Sequence, residues 1–336
     1  MGSEVPIDPG HEPVLLREVM TALAPRPGET FVDATVGRGG HAEAILRQVL
    51  PGGRLLGLDR DAENLAFSAV RLAGLVGAEV PPIEPRNVSS PAAGPLRLVH
   101  ADFARLGEVL AARNLAADGI LADLGIASTH VDDPTRGFSF RGDGPLDMRL
   151  DRGQGPTAAE LLASLSETEI ARAIRVLGEE PLASAIARKI ARVREATPIS
   201  TTSQLAALVR DAYGSRAGRS RMHPATRTFM ALRIAVNDEL GSLRSLLASI
   251  SDAAASLAAG RASWLRPGAR LAVISFHSLE DRMVKHAFAD LAARGLATLP
   301  FRRPVEAGEE EIARNPRSRS AKLRVAMVGG APLQVP

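Results

Sequence analysis

The chain has 336 residues, of which 45% are apolar, and carries a formal net charge of +3. That content can fill one large hydrophobic core or two smaller ones, which argues against a disordered chain. The absence of cysteine excludes disulfides, thiolate metal sites and thiolate nucleophiles. Acids and prolines occupy the start of the chain in place of a signal peptide, and no apolar stretch reaches about 18 residues. These features predict a cytoplasmic protein without a membrane segment.

Short apolar runs alternate with helical patterns in the first part of the chain. Four such runs are typical of buried strands, at residues 30–34, 54–61, 96–103 and 118–125. Because strands alternate with helices, we expect parallel pairing with right-handed crossovers, and hence an open doubly wound α/β sheet. The Pro-rich residues 81–95 predict a loop at the rim of this sheet.

The pattern changes after the fourth predicted strand. Only helical signals occur from about 157 to 213, including a capping box formed by Ser166 and Glu169. Strand character returns at 269–278 and again at 321–328. These changes predict a discontinuous Rossmann-like domain that is interrupted by an all-helical domain. The predicted bounds are 1–130 with 225–336 for the first domain and 131–224 for the second.

A glycine-rich turn, TFVDATVGRGGH at 30–41, follows the first predicted strand. Glycines allow a tight turn and bring backbone N–H groups close to a ligand. Asp59 lies about 20 residues beyond Gly37, the distance at which an acid reaches a ribose hydroxyl. The pattern therefore predicts an adenosine-bearing cofactor beyond the strand ends, with a plain turn and helix-capping acids as the alternative. The candidate residues are Asp33, Gly37, Gly39, Gly40, Asp59, Asp102 and Asp123.

Two adenosine cofactors fit this turn, a nicotinamide dinucleotide and S-adenosylmethionine. A dinucleotide brings a pyrophosphate that carboxylates repel, whereas the cationic amino-acid end of S-adenosylmethionine tolerates Asp33 nearby. Asp102 and Phe103 suit an adenine amine and a ring face, although core packing is the commoner role of a phenylalanine. The glycine spacing also differs from G-x-G-x-x-G. We therefore expect S-adenosylmethionine as the methyl donor.

Missing residue types narrow the choice of methyl acceptor. Methylation of a pyrimidine at C5 needs a cysteine thiolate, which this chain lacks. Methylation of a ribose 2′-hydroxyl usually calls for a lysine that lowers the pKa of the hydroxyl. The chain has three lysines and none lies near a predicted strand end, so this acceptor is disfavoured. An exocyclic amine needs an in-line approach and an acceptor for its N–H as positive charge develops. The predicted acceptor is Asp123, for which a helix cap is the alternative role.

Seven segments of the chain carry longer and more specific patterns. They are DATVGRGGHAEAIL, LDRD, DGILADLG, DDPTRGFSFRGDGPLDMRLD, HPATRTFMALRIAVNDEL, ISFHSLEDRMVK and NPRSRSAKLRVA. In this order they resemble the bacterial small-subunit ribosomal RNA cytosine-N4 methyltransferase family, over about residues 11–328. The resemblance implies a class I methyltransferase fold with an inserted helical domain and S-adenosylmethionine as donor. It implies one cytidine of the decoding centre as target, in RNA already packed in the small ribosomal subunit.

The resemblance also implies roles for individual residues. His130 stands where the family usually has glutamine, and an imidazole can still make one hydrogen bond to the cofactor. The residues that match the family's cofactor site and its fourth-strand acid are Gly39, Gly40, His41, Asp59, Phe103 and Asp123.

Two other segments are candidates for catalysis or RNA contact. His277 follows the fifth predicted strand and would contact the target base, steer a proton or simply cap the next helix. Residues 136–149 combine arginine with phenylalanine, a mixture that favours phosphates and stacked bases, although a glycine-rich hinge is the alternative. No metal site is predicted. The candidate RNA-binding residues are Arg136, Phe138, Phe140, Arg141 and Arg149.

Other functions stay open at the level of sequence. A DNA amino-methyltransferase would carry a Pro-Pro-aromatic tetrapeptide after the fourth strand, where this chain has DLGIAS. A non-catalytic RNA-binding assembly factor would keep the cofactor pocket without turnover, and a dehydrogenase is a more distant alternative. The expected partner is ribosomal RNA within the small ribosomal subunit, and the sequence does not decide whether the chain forms a homodimer.

Overall fold

The computed structural model describes residues 12–77, 80, 82–85, 94–219 and 223–329. The strands within these ranges are β1 (Thr30–Asp33), β2 (Arg54–Asp59), β3 (Ile83–Pro85), β4 (Leu96–His100), β5 (Ala117–Asp123), β6 (Leu265–Ser275), β7 (Ala297–Thr298), β8 (Val305–Glu306) and β9 (Lys322–Val328). The α-helices are α1 (Leu16–Leu23), α2 (Gly40–Val49), α3 (Ala62–Val76), α4 (Leu106–Ala112), α5 (Ser128–Asp132), α6 (Ala158–Ser164), α7 (Glu167–Gly178), α8 (Ala183–Arg194), α9 (Thr202–Tyr213), α10 (Ala225–Asn237), α11 (Glu239–Ala258), α12 (Ser278–Ala293) and α13 (Glu309–Arg314). Among the described residues, no helix is both long and apolar enough to cross a membrane.

The chain divides into two compact units. The first unit combines the described residues up to Gly125 with those from Gly241 onward, and the second spans Ile126–Leu240. The second unit extends beyond the predicted insert of 131–224. At its carboxyl side the reason is α10, which buries Phe229 and Leu232 in the same apolar cluster as the other helices of that unit.

The first unit is built on one sheet with the strand order β3-β4-β2-β1-β5-β6-β9-β7, and β8 also pairs with β9. Strands from β3 to β6 pair in parallel, whereas β9 runs antiparallel to β6, β7 and β8. The order therefore reverses between β1 and β5. In doubly wound sheets, ligands bind at such a switch point, beyond the carboxyl ends of the strands. The predicted Rossmann-like α/β fold class is confirmed.

Helices cover both faces of this sheet. Successive residues of a strand point to opposite faces, so Phe31 and Val32 of β1 enter two different apolar clusters. The cluster of Phe31 includes side chains of α1, α2 and α3, and the cluster of Val32 includes side chains of α4, α11 and α12. A sheet buried on both faces requires nearly continuous apolar strands, which explains the uninterrupted run at the centre of β1 and β2.

Part of the predicted rim loop is a strand. Ile83–Pro85 forms β3 and pairs in parallel with β4 at the edge of the sheet. Glu84 accepts two hydrogen bonds from Arg97 of β4, at 2.8 and 2.7 Å. The loop prediction was wrong for these three residues, because an edge strand tolerates the prolines that suggested a loop. Residue 81 and residues 86–93 of that prediction lie outside the described residues.

The second unit is a helical bundle. Helices α6 to α10 contribute to one apolar cluster that includes Ile174, Ile186 and Leu205. The predicted capping box at the start of α7 is confirmed. Glu169 accepts from the Ser166 N–H at 2.8 Å, and the Glu169 N–H donates to the Ser166 hydroxyl at 3.3 Å. These reciprocal bonds satisfy two backbone donors that the first helical turn would otherwise leave without partners.

Candidate active site

The glycine turn joins β1 to α2 at the switch point of the sheet. Gly39 precedes α2 with a φ of +80°, in the left-handed region that favours glycine. A Cβ at Gly40 would lie 2.4 Å from Cγ of Pro13, so a side chain is excluded there. Asp59 at the end of β2 accepts the Gly37 N–H at 2.8 Å. The turn is therefore bare of side chains at two positions and is held in place by an acid from the next strand.

Asp59 supports this turn with both carboxylate oxygens. Its Oδ2 accepts from Gly37, and its Oδ1 accepts the Asp61 N–H at 2.8 Å. Each oxygen of an ionised carboxylate can accept a further hydrogen bond. The predicted contact of Asp59 with a ribose hydroxyl stays compatible with these bonds and remains a prediction.

Two strand-end acids lie side by side at the switch point, Asp33 on β1 and Asp123 on β5. Asp33 is buried and accepts the Thr35 N–H at 3.1 Å. Burial raises the pKa of Asp33 to about 7, with a smaller upward contribution from the charge of Asp59. Thr35 also accepts the Asp123 N–H at 2.6 Å through its hydroxyl. Sequence reasoning missed Thr35, which links the ends of the two strands.

The pKa of Asp123 is perturbed in the same direction as that of Asp33. Burial raises its pKa well above the ordinary value, and the carboxylates of Asp33 and Glu280 raise it further. Its Oδ1 is shielded from solvent and has no hydrogen-bond partner among the described residues. A shielded carboxylate oxygen without a partner is costly in a folded protein and is typical of a site that a ligand completes.

We expect Asp33→Asn to change how stability depends on pH. The folded-state pKa of Asp33 lies above its ordinary value, so wild type binds this proton more tightly when folded. Wild type therefore loses stability as pH rises from about 4 to about 7, and the asparagine variant does not lose that contribution. In urea unfolding, the variant should gain stability relative to wild type between pH 5 and pH 8. Asp252→Asn, at an exposed position, is the matched control. An equal difference from wild type at both pH values would contradict the expectation.

His41 lies in the first turn of α2 and contacts Asp123. Its Nε2 lies 3.0 Å from the Val14 carbonyl oxygen, and its Nδ1 lies 3.5 Å from Oδ2 of Asp123. The ring is buried. The predicted cofactor residue His41 is therefore placed beside the predicted proton acceptor.

Asp102 and Phe103 follow β4. Asp102 caps the short 3-10 turn that begins at Phe103 by accepting the Ala104 N–H at 2.8 Å. It also accepts from the Ser242 hydroxyl at 2.7 Å and pairs with Arg60 at 3.2 Å. Phe103 is partly buried against an apolar cluster of the sheet. The contacts of Asp102 fix this turn, and the adenine contacts predicted for both residues remain predictions.

His277 caps α12. Its Nδ1 accepts the Glu280 N–H at 3.4 Å, and its Nε2 lies 3.1 Å from Oε1 of Glu280. Glu280 is buried and also accepts the Phe276 N–H at 3.0 Å. Both ring nitrogens of His277 therefore face Glu280, and the capping alternative describes its geometry. We do not include His277 in the catalytic proposal.

His130 belongs to the second unit and has partners of its own there. Its Nδ1 accepts the Ala127 N–H at 3.1 Å, and its ring lies 5.3 Å from the ring of Phe138. The ring is buried. These contacts stabilise the start of α5, and the cofactor contact predicted for His130 remains a prediction.

Most of the predicted RNA-binding residues are engaged within the second unit. Arg136 is buried and donates to the carbonyl oxygens of Arg149 and Leu150 at 3.2 and 3.0 Å. Phe138 is buried in the apolar cluster of the helices. These contacts are structural, so we no longer assign Arg136 and Phe138 to an RNA surface.

The other three candidates of this segment differ in exposure. Phe140 stacks on His223 with ring centroids 4.3 Å apart. Arg149 forms a two-point ion pair with Asp147, at 2.8 and 2.9 Å. Arg141 is exposed at the tip of the loop. Arg141 is therefore the candidate whose charge faces solvent, and we keep the RNA proposal for it.

A doubly wound switch point that presents a bare glycine turn beside carboxylates suits a cationic adenosine cofactor better than a pyrophosphate. Fold and site thus assign the chain to the S-adenosylmethionine-dependent methyltransferases, as the sequence predicted. The profile of the MraW methylase family matches residues 8–328, and the chain belongs to this family.

Curated relatives match almost the whole chain. "Ribosomal RNA small subunit methyltransferase H" of Trichlorobacter lovleyi is 46% identical over 334 residues, covering 94% of this chain and 97% of its own. The protein of the same name from Symbiobacterium thermophilum is 45% identical over 333 residues, covering 94% and 96%. A solved rRNA methylase from Streptococcus thermophilus aligns over 95% of this chain and 97% of its own, at 10% identity and a TM-score of 0.41. Because this TM-score is low, the fold assignment rests on the strand order of the sheet and not on this structural match.

Proposed function

We propose that this methyltransferase transfers the methyl group of S-adenosylmethionine to the exocyclic N4 amine of one cytidine in the decoding centre of small-subunit ribosomal RNA. The reaction takes place in the cytoplasm, on RNA already packed in the small ribosomal subunit. The names of the curated relatives support ribosomal RNA as the acceptor. The observation that carries the choice of an amine is Asp123, a strand-end carboxylate with a shielded oxygen that lacks a partner among the described residues.

The donor fits the residues of the first unit. The turn at Gly39 and Gly40 carries no side chains and precedes α2, where the backbone N–H groups of a helix start can bind a ligand. Asp33 provides a carboxyl group for the cationic end of the cofactor, and Asp123 lies beside it at the end of β5. When bound, S-adenosylmethionine supplies an electrophilic methyl group on a sulfonium sulfur. The residues that we propose to hold it are Asp33, Gly37, Gly39, Gly40, His41, Asp59, Asp102, Phe103 and Asp123.

Asp123 supplies the chemistry that an amine acceptor needs. A carboxylate at the tip of β5 accepts an N–H of the amine, orients its lone pair towards the methyl carbon and stabilises the positive charge that develops on nitrogen. The shielding of Oδ1 strengthens this interaction because few water molecules compete for that oxygen. Its raised pKa makes Asp123 a stronger proton acceptor than an ordinary aspartate, which suits a group that must take up a proton.

Two other nucleic-acid acceptors fit less well. The chain has no cysteine to add to a pyrimidine ring for C5 methylation. Its three lysines are Lys189, Lys285 and Lys322. Only Lys322 begins a strand, β9, which lies two strands from β5 in the sheet, and its Nζ lies 3.9 Å from Oδ2 of Asp281. None of the three lysines therefore lies at the end of β1 or β5, where a lysine would activate a 2′-hydroxyl.

The test supplies purified protein with isotopically labelled S-adenosylmethionine and unmodified small ribosomal subunits, followed by mass spectrometry of nucleosides. We expect label in N4-methylcytidine at a single position. Label in another nucleoside would overturn the acceptor assignment but keep the donor. Binding of the donor without any label in intact subunits would favour a non-catalytic assembly factor.

Arg141→Ala is expected to weaken binding to small-subunit RNA and to make it less dependent on salt. One lost phosphate contact should reduce the slope of log affinity against log salt by about one. Filter binding at several salt concentrations measures this slope. Arg17→Ala is the matched control, since the Arg17 side chain is 90% exposed and lies in α1. An unchanged slope for Arg141→Ala would remove this residue from the RNA surface.

A further inference from the structure

The hydrogen bond between His41 and Val14 fixes the protonation pattern of the imidazole. A backbone carbonyl oxygen can only accept, so His41 Nε2, 3.0 Å from the Val14 oxygen, carries a hydrogen and donates it. In the neutral ring, Nδ1 then carries no hydrogen and acts as an acceptor. That acceptor points at Asp123, whose Oδ2 lies 3.5 Å away.

Two hydrogen-bond acceptors that face each other can bind one proton between them. Neutral His41 and ionised Asp123 would present lone pairs to each other, which favours uptake of one proton between Nδ1 and Oδ2. After uptake the pair is either a carboxylic acid beside a neutral ring or a carboxylate beside an imidazolium. The distance of 3.5 Å is long for a strong hydrogen bond, but such contacts in ligand-free active sites often tighten when substrate binds. A proton held between the two groups belongs to the pair and not to either residue alone.

We propose that His41 is a positioning residue for methyl transfer, which holds the Asp123 carboxylate and shares with it the proton that the acceptor amine releases. The proposal rests on the proposed function, because it assigns a destination to the proton of an N4 amine. It goes further by giving His41 a role through Asp123, in place of a contact with the cofactor alone.

The proton balance of the step is complete without another reactant. The amine nitrogen forms a bond to the methyl carbon with its lone pair, and the carbon–sulfur bond breaks with its electrons going to sulfur. The nitrogen then carries a positive charge and one proton too many for a secondary amine. That proton passes to the carboxylate of Asp123, is shared with Nδ1 of His41 and leaves to solvent before the next turnover. The pair must therefore begin each cycle without the shared proton.

Other charged groups around Asp123 act on the same equilibrium. Asp33 approaches from β1 and Glu280 from α12, and both negative charges favour the protonated form of the pair. His277, the partner of Glu280, faces that carboxylate with both ring nitrogens. A substitution of His41 leaves all three groups in place, so a changed pH profile would report the pair itself.

His41→Gln tests the role in turnover. A carboxamide can still donate to the Val14 oxygen but cannot take up the shared proton. We expect kcat for methylation of small subunits to fall about 10- to 100-fold, with Kd for S-adenosylmethionine changed less than about threefold. The rising limb of kcat against pH should also move to lower pH, because the proton then binds to Asp123 without the ring. His286→Gln, at an exposed site of α12, is the matched control. An unchanged kcat, or a loss explained wholly by weaker cofactor binding, would overturn the proposal.

A spectroscopic test does not depend on turnover. The chain has seven histidines, and ¹⁵N labelling of histidine in the full-length protein, with His41→Gln for assignment, identifies the ring of His41. We expect its Nε2 to be protonated throughout and its Nδ1 signal to titrate with pH in wild type. In Asp123→Asn that titration should move or disappear. An identical Nδ1 titration in both proteins would contradict the shared proton.

The two tests separate this proposal from the proposed function. If wild type labels no N4-methylcytidine but the ¹⁵N titration depends on Asp123, the acceptor assignment fails and the pair stands as a proton-sharing unit. If wild type labels N4-methylcytidine and His41→Gln matches it in kcat and pH profile, the role of His41 fails and the function stands.

Discussion

Asp123→Ala is expected to lower kcat for methylation of small ribosomal subunits by about 100-fold or more, while Kd for S-adenosylmethionine changes much less. A positioned general base commonly contributes 10²- to 10⁴-fold to a proton transfer. Removal of Asp123 also removes the carboxylate that stabilises charge on the amine, and it leaves His41 without its 3.5 Å neighbour. Single-turnover methylation and equilibrium binding of the donor measure the two quantities separately.

The matched comparison for Asp123 is Asp59→Ala, a change at another strand-end acid. Asp59 holds the glycine turn through Gly37 at 2.8 Å, so its loss should weaken binding of the donor at least as strongly as it lowers kcat. A loss mainly of kcat in Asp123→Ala and a loss mainly of donor affinity in Asp59→Ala would distinguish a chemical role from a binding role. Equal losses of kcat and donor affinity in Asp123→Ala would place Asp123 in the cofactor site alone.

Strand-end acids were predictable from sequence because of a simple geometric rule. The carboxyl ends of parallel strands meet at one edge of a sheet, so acids that end apolar runs are brought together without any knowledge of the loops. Asp33 and Asp123 follow this rule, and so does the support that Asp59 gives to the glycine turn. Thr35 was not foreseen, since a hydroxyl that accepts from a neighbouring strand has no distinctive spacing in sequence.

Composition was a weaker guide than strand position in the segment at 136–149. Arginine and phenylalanine in a glycine-rich loop suggested an RNA surface, but the same residue types also make hydrogen bonds and apolar contacts within the protein. Arg136 binds two carbonyl oxygens of the loop, and Phe138 fills the helical core. Sequence does not reveal which backbone carbonyls lack partners, and such groups are the ones that a buried arginine serves. Sequence also does not reveal which group the ring nitrogens of His277 face, so its capping role could not be separated from a catalytic one.

Asn237→Leu is expected to destabilise the second unit by about 3 kcal/mol. Asn237 is buried at the end of α10, where its Oδ1 accepts the Leu150 N–H at 2.8 Å. Its Nδ2 donates to the carbonyl oxygens of Met148 and Arg233 at 2.8 and 2.9 Å. Leucine has a similar volume but would leave buried backbone groups without partners, at a cost of about 1–3 kcal/mol each. Met148 has a φ of +64°, so the amide also holds a strained residue in place.

The chain offers separate optical probes for this experiment. Its one tyrosine, Tyr213, lies in the second unit, and its one tryptophan, Trp264, lies in the first. In urea, the transition followed by tyrosine fluorescence should shift to lower denaturant in Asn237→Leu. Val176→Ala, at a side chain that is 56% exposed, is the control and should leave the midpoint nearly unchanged. A midpoint for Asn237→Leu equal to that of wild type would show that the hydrogen bonds of the amide to Leu150, Met148 and Arg233 contribute little to the stability of the bundle. A shift confined to the tyrosine signal would further show that the helical unit can unfold while the sheet around Trp264 stays folded.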